Sequence, residues 1–219
     1  MISNFKEIDL LLNEIDKKLK TRTKIFIIGG AALLYQNLKP ATKDIDLILT
    51  NIQHYDLFVQ AATKIGFEKR NPRGIYSKIH ASSILEREDF RLDIFIERVC
   101  KKIILSQNMI KRAEPILDLK NLEVNHCSNE DIFIFKSITE RQGDIEDCIS
   151  LAKRGLNWKT IYSEIRSQID MSGEDVWITW IGERFDRMEE KGLNIPIMDK
   201  LNKERDDYFN KIERKYTTK

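Results

Sequence analysis

The alternation of apolar and polar positions divides the chain into a strand-rich first part and a helical second part. Residues 4–20 place Phe5, Ile8, Leu11, Leu12, Ile15 and Leu19 on one helical face, with Ser3 or Asn4 in position to cap it. A continuous apolar run, Ile25 to Ile28, reads as a buried strand. It stops at Gly29-Gly30, a tight turn with no side chains in the way, and Ala31–Gln36 continues as helix. Pro40 ends that helix and forces Lys39 extended. Asp44–Leu49 is a second strand. Asn51 caps a helix carrying Tyr55, Leu57, Phe58, Ala61, Ala62 and Ile65, which Gly66 closes. Residues 67–79 read as a β-excursion turning through Asn71-Pro72-Arg73-Gly74. Residues 82–86 and 90–96 are strands, 106–113 a short helix, and 116–117 and 122–124 brief extended pieces.

At Ser128 the character changes. Ser128-Asn129-Glu130-Asp131 resembles a capping box, and residues 132–141 have helical periodicity. Trp158, Ile161, Ile165 and Ile169 form one stripe further on. Ser172-Gly173-Glu174-Asp175 precedes a helix bearing Val176, Trp177, Trp180, Ile181, Phe185 and Met188. Gly192 to Pro196 breaks the chain, and a charged helix starts at Asp199. Aromatic stripes of this spacing are packing faces. The expected domains are residues 1–127 and 128–219.

Composition narrows the class without naming it. At 219 residues, 42% hydrophobic and 33% charged, the chain has the makeup of a globular protein with a substantial core. No apolar run approaches the ~18 residues of a spanning helix. The N-terminus mixes acids and bases, unlike a signal peptide, so the expected location is the cytoplasm and no membrane partner is expected. Cys100, Cys127 and Cys148 are widely spaced without a C-x-x-C pair, and His126-Cys127 stands without the further ligands that zinc needs. The net charge is only +2, yet basic residues gather over 64–78 and over 98–120. Such clusters are either phosphate-backbone contacts or ordinary solvated surface.

The candidate chemistry begins with Asp44 and Asp46. Side chains alternate along a strand, so the two carboxylates leave one face while Ile45 and Leu47 leave the other. Side by side, they repel unless a cation sits between them. Asp93 is a third carboxylate within the apolar strand 90–96, sharing a face with Arg91 and Phe95.

In this order the segments Ile28-Gly29-Gly30, Asp44-Ile45-Asp46-Leu47 and Leu92-Asp93-Ile94 resemble the three motifs of the nucleotidyltransferase superfamily of the DNA polymerase β type. The resemblance implies an α+β fold: a mixed β-sheet nucleotidyltransferase core flanked by helices, followed by a C-terminal helical region. It also implies a Mg²⁺-dependent enzyme, with two ions or Mn²⁺ in their place, held by Asp44, Asp46 and Asp93. The physical logic is consistent, because phosphoryl transfer needs positioning and charge neutralisation more than covalent chemistry. Gly29 and Gly30 are implied to let the backbone approach the phosphates of an NTP.

Ser128 to Leu151 is similar to a segment of the abortive-infection (AbiEii-like) branch, the matching positions being Asp131, Lys136, Arg141, Asp144 and Asp147. That similarity implies nucleotide-binding roles for Lys136 and Asp144. It also implies an RNA acceptor, such as a tRNA end, or a protein acceptor, in a toxin–antitoxin system with a cognate antitoxin. The chain departs from that branch in two places. Relatives often have Gly-Ser where it has Gly29-Gly30, and often an Arg where it has Pro40. A reading from a different class is a non-catalytic nucleic-acid- or partner-binding protein that keeps the fold.

Overall fold

The apolar run of residues 25–28 lies in strand β1 (Thr23–Ile28), near the middle of a seven-stranded sheet. In this computed structural model, which describes residues 1–71, 80–139 and 141–217, contacts divide the chain into two units, Met1–Ser128 and Asn129–Lys219. Among the described residues no helix is long and apolar enough to cross a membrane.

The first unit runs α1 (Phe5–Asp16), β1, α2 (Gly29–Tyr35), β2 (Ile45–Leu49), α3 (Ile52–Lys64), β3 (Glu68–Arg70), β4 (Ser83–Arg87) and β5 (Phe90–Ile96). It continues through β6 (Arg98–Val99), β7 (Ile103–Ile104), α4 (Gln107–Arg112), β8 (Glu114–Asp118) and β9 (Leu122–His126). The sheet order is β3-β4-β5-β2-β1-β9-β8, with β6 and β7 forming a separate hairpin. β1 is antiparallel to β2 but parallel to β9, and β2 is parallel to β5, so the sheet is mixed and the fold α+β. Helix α1 packs against α2 and α3, and α2 and α3 pack on β1 and β2. That layering explains why Ile25, Phe26, Ile27, Leu47, Ile48 and Leu49 are all buried, a near-continuous run where alternation would mark a half-exposed strand.

Local signals and outcome agree where capping decides. Asn4 rather than Ser3 caps α1: its side chain accepts from Lys6 N–H at 2.9 Å, and Glu7 accepts from Asn4 N–H at 3.2 Å. Asn51 accepts from His54 N–H at the start of α3. The brief extended pieces around 116 and 122 turn out to be full strands. β9 reaches His126 and lies beside β1, and β8 forms the sheet edge. β8 pairs with the adjacent β9, but β9's other partner, β1, lies about a hundred positions back, which no local window contains. Of the β-excursion, β3 is present; residues 72–79 lie outside the described residues.

The second unit is helical: α5 (Asn129–Ser137), α6 (Gln142–Lys153), α7 (Trp158–Ser172), α8 (Trp177–Glu189) and α9 (Met198–Thr217). The helix read over 132–141 stops at Ser137, and α6 starts after Arg141. Ser137 and Thr139 turn their hydroxyls onto the carbonyls of Ile134 (2.8 Å) and Lys136 (3.2 Å), a local competition with the helical ladder. Phe133 meets Trp158 and Phe185 edge-on, with ring centres 5.4 and 5.6 Å apart, so the aromatic stripes are core. Trp180 is the exception, half exposed on α8.

Candidate active site

Three short segments of the first unit converge on Asp46. It sits at the second position of β2, directly opposite Ile28 on β1 and Asp93 on β5. Parallel register partners project from the same face of a sheet, and neighbouring strands run ~4.8 Å apart. Two carboxylates on one face of adjacent strands repel unless a cation lies beside them.

Gly29 follows Ile28 with φ of +66°, in the left-handed region. A Cβ at this position would lie 1.9 Å from Asp46 Oδ2 and 3.1 Å from Asp46 Cβ. Rotating the carboxylate cannot relieve the second contact. Glycine is therefore required twice, for the backbone and for the space. At Gly30 a Cβ would lie 2.3 Å from Thr42 Oγ1. Thr42 fills the space that a serine side chain would need, so the Gly-Gly departure and Thr42 are one packing arrangement.

Asp44 is half-buried and lies one residue before β2, which starts at Ile45 rather than at Asp44. The approach to it is held by Thr42. The Thr42 hydroxyl donates to the Asp44 carbonyl at 3.0 Å, and its backbone pairs with Ile2 through bonds of 2.9 and 2.8 Å. Asp93 is wholly buried (0% exposed). Arg91, two residues earlier on the same strand, donates Nε–H to Asp93 Oδ1 at 2.8 Å and Nη2–H to Oδ2 at 3.0 Å.

Sequence reasoning placed Arg91 on the face of Asp93 but missed this pairing, and it gave no role to Thr42. Alternation supplies the shared face, whereas the bidentate fork depends on side-chain rotamers.

The donor chemistry suits a hard divalent cation, since carboxylate oxygens are what Mg²⁺ and Mn²⁺ take. Among the described residues no group of three His, Cys, Asp or Glu side chains lies close enough together to hold an ion.

Replacing Gly29 with alanine tests the crowding. The new methyl must displace the Asp46 carboxylate, and misplacements of about 1 Å at reacting centres cost roughly 10²-fold in rate. Turnover of Gly29→Ala is expected to fall by about that factor, and Asp46→Asn in the same background should bring it only to the level of Asp46→Asn alone. Full activity in Gly29→Ala would remove Asp46 from the reacting centre.

The remaining candidates lie in the second unit. Lys136 on α5 is buried (5% exposed), with its ammonium 2.9 Å from Asp144 Oδ1 and 2.7 Å from Asp147 Oδ2 on α6. Asp144 also accepts from Arg141 Nε at 2.7 Å and from the Thr139 hydroxyl. Burial pushes the Lys136 ammonium towards neutrality, but Asp144 and then Asp147 outweigh it and raise its pKa above the usual lysine value. For Asp144, burial pushes up, while Lys136, Arg141 and Thr139 together hold it below the usual carboxylate range. Lys136 and Asp144 are therefore brought together, as a charged pair inside the α5–α6 packing. Arg141, with 44% of its side chain exposed, is the member of the group that meets solvent.

By family the chain is a nucleotidyltransferase. The family model "Nucleotidyltransferase of unknown function (DUF6036)" matches residues 3–171, and the chain belongs to that family. Helices α8 and α9 lie beyond the matched residues. Among solved structures, ANT(2'')-Ia in complex with adenylyl-2''-tobramycin aligns with a TM-score of 0.50 at 13% identity, over 77% of this chain and 98% of that one. It shares the fold. A Helicobacter pylori protein described as a nucleotidyltransferase aligns at a TM-score of 0.40 and 13% identity, over 95% of this chain and 96% of that one. JHP933, also from Helicobacter pylori, gives 0.41 and 15%, over 97% and 100%. No curated protein matches the sequence.

Proposed function

We propose that the protein transfers a nucleoside monophosphate from an NTP to a hydroxyl acceptor with the help of a divalent cation, Mg²⁺ or Mn²⁺. The observation that carries this reading is the register of Asp46 with Asp93 on adjacent central strands, with Gly29 pressed against Asp46. Asp44, Asp46 and Asp93 would hold the cation, one ion or two. When bound, it supplies neutralisation of charge on the phosphates and orientation of the attacking oxygen. Gly29 and Gly30 offer the triphosphate a surface free of side chains. The acceptor oxygen bonds to the α-phosphorus, the bond from that phosphorus to the bridging oxygen breaks, and pyrophosphate leaves. Asp93 takes the acceptor's proton. Lys136 and Asp144 are the proposed nucleotide-binding residues of the second unit.

The acceptor we favour is RNA, such as a tRNA end, with a protein side chain second, in a toxin–antitoxin pair with a cognate antitoxin. Exposed Arg98, Lys101, Lys111 and Lys120 support a nucleic-acid partner. The test is incorporation of label from each of the four α-labelled NTPs into total RNA and total protein, with an aminoglycoside as a third acceptor class. Label is expected in one pool, dependent on metal and lost in Asp44→Ala. Binding of metal and nucleotide without transfer to any pool would sink the reading. A thermal-shift series adds a second check: stabilisation should require metal and NTP together. Stabilisation by RNA alone, indifferent to Asp93→Ala, would favour a non-catalytic binding protein.

A further inference from the structure

Asp93 and Arg91 form a largely desolvated ion pair on β5. The pair is bidentate, at 2.8 and 3.0 Å, with 1% of the Asp93 side chain and 17% of the Arg91 side chain exposed. Planar fork-to-carboxylate pairing of this kind is strong and directional. It serves a need visible in the register: Asp46 is the lateral neighbour of Asp93, and a buried carboxylate beside another carboxylate requires a cation. The guanidinium of Arg91 is a cation in contact with both oxygens of Asp93. Those are the oxygens that the proposed function asks to face a divalent ion.

We propose that Arg91 is a positioning residue that acts as a resident counter-ion for Asp93 and is exchanged when the site loads metal. Metal binding is then a competition. Arg91 stabilises the empty site and lowers its affinity for divalent ions, so Asp93 is released to the reaction only when metal arrives. The inference rests on the reading of Asp44, Asp46 and Asp93 as metal ligands. It goes beyond that reading by making Asp93 a conditional ligand, controlled by a residue of its own strand.

The experiment uses the full chain and Mn²⁺ alone, followed by calorimetry and by the loss of the free-ion signal in electron paramagnetic resonance. Arg91→Met keeps the length of the side chain and removes its charge. It is expected to melt at a lower temperature than wild type without metal, to bind Mn²⁺ at least tenfold more tightly, and to show a larger Mn²⁺-induced rise in melting temperature. Arg91→Lys keeps the charge without the fork and should fall between the two. A purely structural role would lower the melting temperature and leave Mn²⁺ affinity unchanged or weaker, and that result overturns the proposal.

A measurement on the unaltered chain guards against a variant that fails to fold. The Arg91 Nε–H resonance, identified by its absence in Arg91→Lys, should be protected from solvent exchange without metal and lose that protection when Mg²⁺ is added. Retained protection at saturating Mg²⁺ also overturns the proposal. Asp44→Asn separates the two levels. If it binds Mn²⁺ as wild type does, or if wild type binds none, the metal reading itself fails and this inference falls with it.

Discussion

Asp46→Ala is expected to reduce NMP transfer by at least ~10³-fold while leaving the fold as stable as wild type or slightly more so. A 10³-fold loss corresponds to about 4 kcal/mol of transition-state stabilisation, within what metal-assisted charge neutralisation supplies. The stability expectation has the opposite sign, because Asp46 lies beside Asp93 and against Gly29, so that removing its carboxylate relieves repulsion and crowding. Asp46→Asn separates the two effects by keeping the shape and discarding the charge. Steady-state label transfer and a urea denaturation curve on the same preparations read both. An active Asp46→Ala protein would refute the site; an inactive and unfolded one would make Asp46 a structural residue.

Lys136→Met is expected to cost 3–5 kcal/mol of stability near neutral pH, the usual penalty for stripping the partner from buried charges. Asp144 and Asp147 would be left without the ammonium that lies 2.9 and 2.7 Å from them. The pH dependence follows from the directions of the shifts. The folded pKa of Asp144 is depressed, so its contribution is complete above the unfolded carboxylate value and is lost as pH falls through the folded value. That of Lys136 is raised, so its contribution is complete below the unfolded lysine value and is lost as pH rises through the folded value. Both contributions are therefore intact across the neutral range, and wild-type stability should vary little there on their account. In Lys136→Met, Asp144 loses one of the two cations that hold its pKa down and takes up a proton more readily. The deficit should shrink as pH falls towards the carboxylate range. Chemical denaturation at pH 7 and pH 5 measures it. A Lys136→Met protein as stable as wild type, but with weakened NTP binding, would assign the ammonium to the triphosphate instead of to the packing of α5 on α6.

The chain shows unevenly which of these features could be read in advance. The caps of α1 and α3, the glycine that follows β1, and the shared face of Arg91 with Asp93 follow from spacing, because periodicity and turn chemistry are properties of a few consecutive residues. The place of β9 in the sheet, between β1 and the edge strand β8, was not legible in that way. Neither was the break between α5 and α6 that divides Lys136 from Asp144. Both depend on what the segment packs against.

The Gly29–Asp46 approach sharpens the distinction. The amino-acid sequence by itself determined that a glycine ends β1 and that two carboxylates sit two residues apart near the start of β2. Only the tertiary structure decided that Asp46 stands opposite Asp93, that its Oδ2 occupies the space a Gly29 side chain would take, and that Arg91 holds both oxygens of Asp93. The physical reason is register: strand pairing between residues distant in the chain sets which charges become neighbours, and the neighbours set the chemistry.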